Sequence, residues 1–178
     1  LNRFSYLHGQ NKIYKFSPFI KANLDLEESI ENQLEKVQSS SQRRKLKKCL
    51  KTPLKERFTD KISDLEFFYH NLYVPYAISR FDERCSLTSI REMERIFKKR
   101  KGKLIFVEDG TINVGCSLVH QSIKLANTLI WWKLGFDVNL VNSNQDRATQ
   151  LELATINYGI KSGFKKLQLG VTSPFSDN

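Results

Sequence analysis

The chain has 178 residues, 40% of them hydrophobic and 27% charged, so it can bury a core and lacks the composition of a disordered tail. No stretch reaches the ~20 apolar residues of a membrane-spanning helix, because Lys133 and Asp137 interrupt Thr128 to Leu140. The formal charge of +10 is concentrated in two places: Ser39 to Arg57, with eight basic residues against Glu56, and Lys98 to Lys103.

Cys49, Cys85 and Cys116 lie too far apart for a disulfide framework and form no C-x-x-C metal pair. A reducing, cytoplasmic setting without a bound metal is the expectation. The chain opens at Leu1 and stops at Asn178 just after a strand-like segment, as a C-terminally truncated piece of a longer protein would.

In chain order, Phe4 to Leu7 and Ile13 to Leu24 are rich in aromatic and β-branched residues and read as an entering hairpin broken at Pro18. Asp25 and Glu28 form a capping box ahead of Leu26, Ile30, Leu34 and Val37, which predicts a helix over about 26–37. Ser39 to Ser41 can cap a second, basic helix that Pro53 ends. From Asp60, the residues Ile62, Leu65, Phe68, Tyr69 and Leu72 mark a helix expected to stop near Val74, with Tyr73-Val74-Pro75-Tyr76 as a turn.

Ser89 and Glu92 cap a helix with Ile90, Met93, Ile96 and Phe97 as its buried stripe and Gly102 as its stop. Leu104 to Glu108, Ile112 to Val119 and Ile123 to Leu134 follow as three antiparallel strands, the first two joined at Asp109-Gly110. A helix over about 147–162 and a strand over 167–170 complete the series. The expected fold is α+β: a mixed, mostly antiparallel sheet flanked by helices, with a hairpin and basic helical arm over 1–59 and the main domain over 60–178.

A meander followed by a loop, a helix and a strand resembles the core of the GNAT acyltransferases. Within that superfamily Tyr73-Val74-Pro75, Arg80-Phe81 and Gly163-Phe164-Lys165-Lys166-Leu167-Gln168-Leu169-Gly170, running into Ser173-Pro174, resemble the Fem-like and cellulose-biosynthesis-type acetyltransferases. The basic run Ser41 to Lys48 is similar to the arginine-rich helix before the domain in that branch. The sequence departs from the pattern at Asp82, where glycine is usual, and between Asn142 and Thr149, which hold none of the usual phosphate-loop glycines.

The resemblance implies transfer of an acyl group from acetyl-CoA or another acyl-CoA to an amine or hydroxyl acceptor. A helix N-terminus offers unpaired N–H donors and the positive dipole end to a pyrophosphate, so Asn144, Gln145, Asp146, Arg147 and Ala148 form the candidate cradle. Tyr158 is the candidate acid for the leaving group, and Asp177 the candidate base or acceptor ligand. Tyr73 and Arg80 are candidates to hold the acceptor, and Arg43 and Arg44 to grip a phosphate-bearing substrate.

His70 and His120 lack partners at ligand spacing and read as structural, and Cys116 reads as a buried hydrophobe. Trp131 and Trp132 are expected on opposite faces of one strand. Two other functions stay open: a Fem-like transferase using aminoacyl-tRNA, since the basic helix suits a tRNA or other polyanion, and a non-catalytic basic binding module on a degenerate GNAT fold.

Overall fold

The computed structural model describes residues 5–9, 12–16, 20–82, 85–141 and 146–172. Strands β1 (Ser5–Gly9) and β2 (Lys12–Phe16) pair as a separate antiparallel hairpin. Strand β3 (Ile20–Asp25), expected as part of that hairpin, instead pairs with β8 (Lys166–Thr172) at one edge of a six-stranded sheet. This pairing also moves the start of the first helix. Leu26 continues the edge by donating its N–H to the Lys165 carbonyl (2.9 Å), so α1 spans only Ile30–Glu35 and is capped by the Ser29 hydroxyl rather than by Asp25.

The basic helix α2 (Ser40–Lys51) begins at Ser39, whose hydroxyl accepts from the Gln42 N–H, and ends before Pro53. Strand β4 (Lys55–Thr59) follows as the opposite edge of the sheet. Segment 1–59 therefore supplies both edge strands. Next, α3 (Ile62–Phe67), a π-helical turn (Phe68–Tyr73) and α4 (Val74–Phe81) form one continuous helical run.

The expected break at Val74 does not occur. A proline ring clashes with the carbonyl four residues earlier in an α-helix, and the wider π turn just ahead of Pro75 relieves that clash. Tyr73 and Arg80 accordingly lie on a helix and not in a turn. Helix α5 (Ile90–Lys99) starts at the expected Ser89 cap, whose hydroxyl accepts from the Glu92 N–H at 3.3 Å.

The meander comprises β5 (Lys103–Asp109), β6 (Ile112–Gln121) and β7 (Thr128–Phe136), with Gly110 at φ +63° in the β5–β6 turn. A short α6 (Val138–Val141) precedes the long α7 (Asp146–Lys161). Gly163, at φ +77°, ends α7, and Phe164 donates its N–H back to the Gly159 carbonyl.

The sheet order is β3-β8-β7-β6-β5-β4, antiparallel except between β7 and β8. Leu104, Phe106, Cys116 and Leu118 face the helices from α3 to α5, whereas Ile105, Val107, Val119 and Leu129 face Leu151 and Ala154 of α7. Helices α1 and α2 pack on the outside of α7 through Leu34, Cys49 and Leu153. Trp131 packs against the α7 core and Trp132 against the opposite one, as adjacent strand residues do, and Trp132 is the extra residue of a bulge in β7.

Candidate active-site cleft

Strands β7 and β8 pair only over Thr128–Ile130 and Lys166–Gln168. Beyond that fork β7 runs on to Phe136 while β8 stays with β3, which leaves the two strands parted at the end of the sheet where α7 begins. Trp131, the first β7 residue past the fork, keeps its indole Nε1 buried, without a hydrogen-bond partner among the described residues. A buried donor left this way costs stability.

At this end of the sheet α2, α4 and α7 enclose an open cleft of about 650 Å³. Each helix contributes residues one turn apart: Gln42, Lys45 and Leu46; Tyr76, Ser79 and Arg80; Ala148, Thr149 and Glu152. The α4 wall is anchored by Tyr76, whose ring meets Phe136 of β7 edge-on at 5.1 Å, while Arg80 Nη1 donates to the Tyr76 hydroxyl at 2.8 Å. Gly135 sets how close α4 can come: a Cβ there would lie 2.6 Å from the Leu72 carbonyl carbon and the Tyr73 nitrogen.

Two cations, Lys45 and Arg80, and one carboxylate, Glu152, meet in this cleft. Glu152 reaches solvent at the mouth, yet the protein around it raises its carboxyl pKa by desolvation, against a smaller opposing pull from Lys45. A carboxyl raised in this way, in a cleft it shares with hydroxyls and a cation, is a better proton acceptor than an ordinary surface carboxylate. The sequence reading passed over Glu152, Tyr76 and Lys45; the signal available was polar residues recurring at helical spacing on three helices.

The expected residues are distributed as follows. Arg80 and Ala148 line the cleft. Arg147 is turned away from it, donating to the Leu140 carbonyl (2.9 Å) and the Asp109 carboxylate (3.2 Å), and Asp146 in the first turn of α7 pairs with Lys48 at 3.0 Å. Tyr73 is buried under the α3–α5 layer and its hydroxyl accepts from the Thr88 N–H. Tyr158 stacks on Phe58 of β4, ten residues and about 15 Å along α7 from Ala148. Asn144, Gln145 and Asp177 lie outside the described residues.

Arg43 braces the chain before α2 through hydrogen bonds to the Val37 carbonyl. Arg44, Lys47, Lys48 and Lys51 are exposed along one stripe of α2 and, with Ser40 and Arg43, line a shallow groove of about 470 Å³. The second basic cluster lies at the other end of the sheet. Strand β5 joins the two ends, and its seven residues span about 23 Å.

Two further titratable groups are shifted by burial. Burial lowers the His120 pKa, keeping a neutral ring against Trp132 whose Nδ1 faces the Gln121 carbonyl at 3.0 Å. Burial raises the Cys116 thiol well above its ordinary value. Among the described residues no three His, Cys, Asp or Glu side chains converge to hold a metal ion, and no helix is long and apolar enough to cross a membrane.

Among solved structures the chain is similar to the C-terminal domain of a protein assigned as a lysylphosphatidylglycerol synthetase from Agrobacterium fabrum, with a TM-score of 0.56. The fold is GNAT-like. Identity is 10%, over 88% of this chain and 49% of the solved one, so the chain spans about half the length of its structural neighbour. No protein-family model and no curated protein matches the sequence. On this fold the parted strands, the start of α7 and the cleft of Lys45, Arg80 and Glu152 occupy one end of the molecule.

Proposed function

We propose that this chain is the transfer unit of an aminoacyltransferase that moves an aminoacyl group from the ester of a charged tRNA to an amine or hydroxyl acceptor. The observation that carries the reading is the exposed cationic stripe of α2 adjoining a cleft that the same helix walls through Gln42, Lys45 and Leu46. A row of cations along a helix suits an extended phosphate backbone better than one small anion. The fold neighbour is named for the synthesis of lysylphosphatidylglycerol, an aminoacylated lipid, and the resemblance to the Fem-like branch permits an aminoacyl-tRNA donor.

In this reading the acceptor gives its proton to Glu152 and attacks the ester carbonyl, forming the new acyl bond as the carbon–oxygen bond to the ribose breaks. The departing ribose oxygen takes a proton from the Tyr76 hydroxyl, and the proton held by Glu152 restores Tyr76 through solvent. Arg80, hydrogen-bonded to Tyr76, stabilises the negative charge that passes through that oxygen.

Acetyl-CoA or another acyl-CoA is the second donor, favoured by the parting of β7 and β8 at the end where α7 starts. The described first turn of α7 suits its pyrophosphate poorly, since Asp146 brings negative charge and Arg147 is held by Asp109 and Leu140.

The test supplies tRNA charged with labelled amino acids, or labelled acetyl-CoA, together with amine and hydroxyl acceptors. Transfer of label from tRNA supports the proposal, and transfer from acetyl-CoA alone replaces it with the second donor. No transfer from either, with salt-sensitive binding of every polyanion alike, would leave a basic binding module and refute catalysis.

A further inference from the structure

The end of the sheet opposite the cleft combines two features that the transfer reading does not use. The turn between β6 and β7 displays Ile123 and Leu125 to solvent at 66% and 49% exposure. Around them, Lys98, Lys99 and Lys101 at the end of α5, Lys124 in the turn and Lys165 ahead of β8 are all exposed and have no ion-pair partner among the described residues. The nearby acids, Asp60 and Asp25, are already paired with Lys103 and Lys166.

These segments form one rim. Gln121 donates its N–H to the Arg100 carbonyl (3.2 Å), and Lys165 and Lys166 donate theirs to the Asn127 carbonyl (2.9 and 3.2 Å). The turn is itself built: Leu125 donates to the Ser122 hydroxyl, Ser122 donates to the Thr128 carbonyl, and Asn127 takes a left-handed φ of +52°. Ile123 and Leu125 are therefore held outward on an ordered loop.

We propose that this rim docks on an anionic membrane surface, with Ile123 and Leu125 entering the headgroup boundary and the five lysines contacting lipid phosphates. Charge complementarity and apolar exposure select this occupant together. A nucleic-acid backbone would use the lysines but offers nothing to two aliphatic side chains, whereas a lipid interface rewards both. Docked this way, the molecule holds its cleft about one strand length from the bilayer, facing away from it. The proposal does not depend on the transfer reading.

The test is sedimentation of the full chain with vesicles of phosphatidylcholine alone or mixed with phosphatidylglycerol, with tRNA binding measured in parallel. Only the mixed vesicles should carry the protein down. Replacing Ile123→Asp and Leu125→Asp together should weaken vesicle binding by at least about tenfold. Reversing Lys98, Lys99 and Lys101 to Glu should weaken it by at least about a hundredfold, since each cation near an anionic surface contributes severalfold.

All five positions are exposed, and an unchanged circular dichroism spectrum confirms that each variant folds. No binding of the unmodified chain to the mixed vesicles would overturn the proposal. So would vesicle binding indifferent to the double aspartate variant, or a lysine variant that loses tRNA binding while keeping vesicle binding.

Discussion

Gly135 is where the fold and the cleft are most tightly coupled, and a single methyl group tests the coupling. A Cβ at this position would lie 2.6 Å from the Leu72 carbonyl carbon, 2.6 Å from the Tyr73 nitrogen and 2.7 Å from the Tyr73 Cα. Ordinary contact begins near 3.4 Å, so the helical run must retreat from β7 by most of an ångström. All three atoms are backbone, and Leu72 and Tyr73 are buried at 2% and 6% exposure, so no side chain can rotate aside. Overpacking costs about 1–3 kcal/mol, the rigid contact puts this case at the upper end, and alanine recovers about 0.5–1 kcal/mol of the chain entropy lost by a strand glycine.

Gly135→Ala should therefore lose about 2 kcal/mol, which lowers Tm by about 4–8 °C in a chain of this size. Urea denaturation followed by tryptophan fluorescence reads this directly, because Trp131 and Trp132 sit on the same strand. A Gly135→Ala variant within about 0.5 kcal/mol of the parent would refute the claim that this close approach fixes α4 against the sheet.

Three further outcomes follow from the described contacts. Neutralising Arg44, Lys47 and Lys51 to Gln should lower the steepness of the salt dependence of tRNA binding by about 3 in a plot of log K against log salt. Burial works against the charged form of Glu108, but Arg57 and Lys55 outweigh it and hold its pKa below the ordinary carboxylate value. The stability it contributes is thus present above that ordinary value and lost as pH falls through the lowered one; Glu108→Gln should cost about 2 kcal/mol at neutral pH and remove this part of the acid sensitivity in pH-dependent unfolding. Tyr73→Phe loses only the Thr88 hydrogen bond and should cost about 1 kcal/mol in denaturant while leaving the transfer rate unchanged, as a residue outside the cleft should.

Much of the fold was legible because local chemistry and tertiary placement agree. Ser39 and Ser89 cap the helices that follow them, Gly163 stops α7, and Asp109-Gly110 turns the meander. The misreadings arose where tertiary contacts override local pattern. Asp25 reads as a helix cap, yet it ends an edge strand because Leu26 is fastened to Lys165 across the sheet. Pro75 reads as a break, yet a π turn absorbs it. Strand β4 alternates Lys55, Glu56, Arg57 and Phe58 as a charged edge strand does, and such an edge carries little hydrophobic signal.

The cleft was the least legible part, because Gln42, Arg80 and Glu152 come from helices far apart in sequence and no short motif joins them. Arg80 was found through its motif. Glu152 belongs to no short motif, and its helical spacing with Ala148 and Thr149 gains meaning only when α2 and α4 are placed beside it.

Glu152 is also where the account is tested most directly. The measurement is the pH dependence of the single-turnover transfer rate for the unmodified chain and for Glu152→Gln, at saturating donor and acceptor. A proton acceptor in the cleft predicts that the unmodified rate rises through a single ionisation above the ordinary carboxylate range. The Gln variant should lose that step and about a hundredfold or more of the rate while binding the donor equally well. A Gln variant that keeps both its rate and the acidic limb of its profile would contradict the placement of transfer in the cleft between α2, α4 and α7.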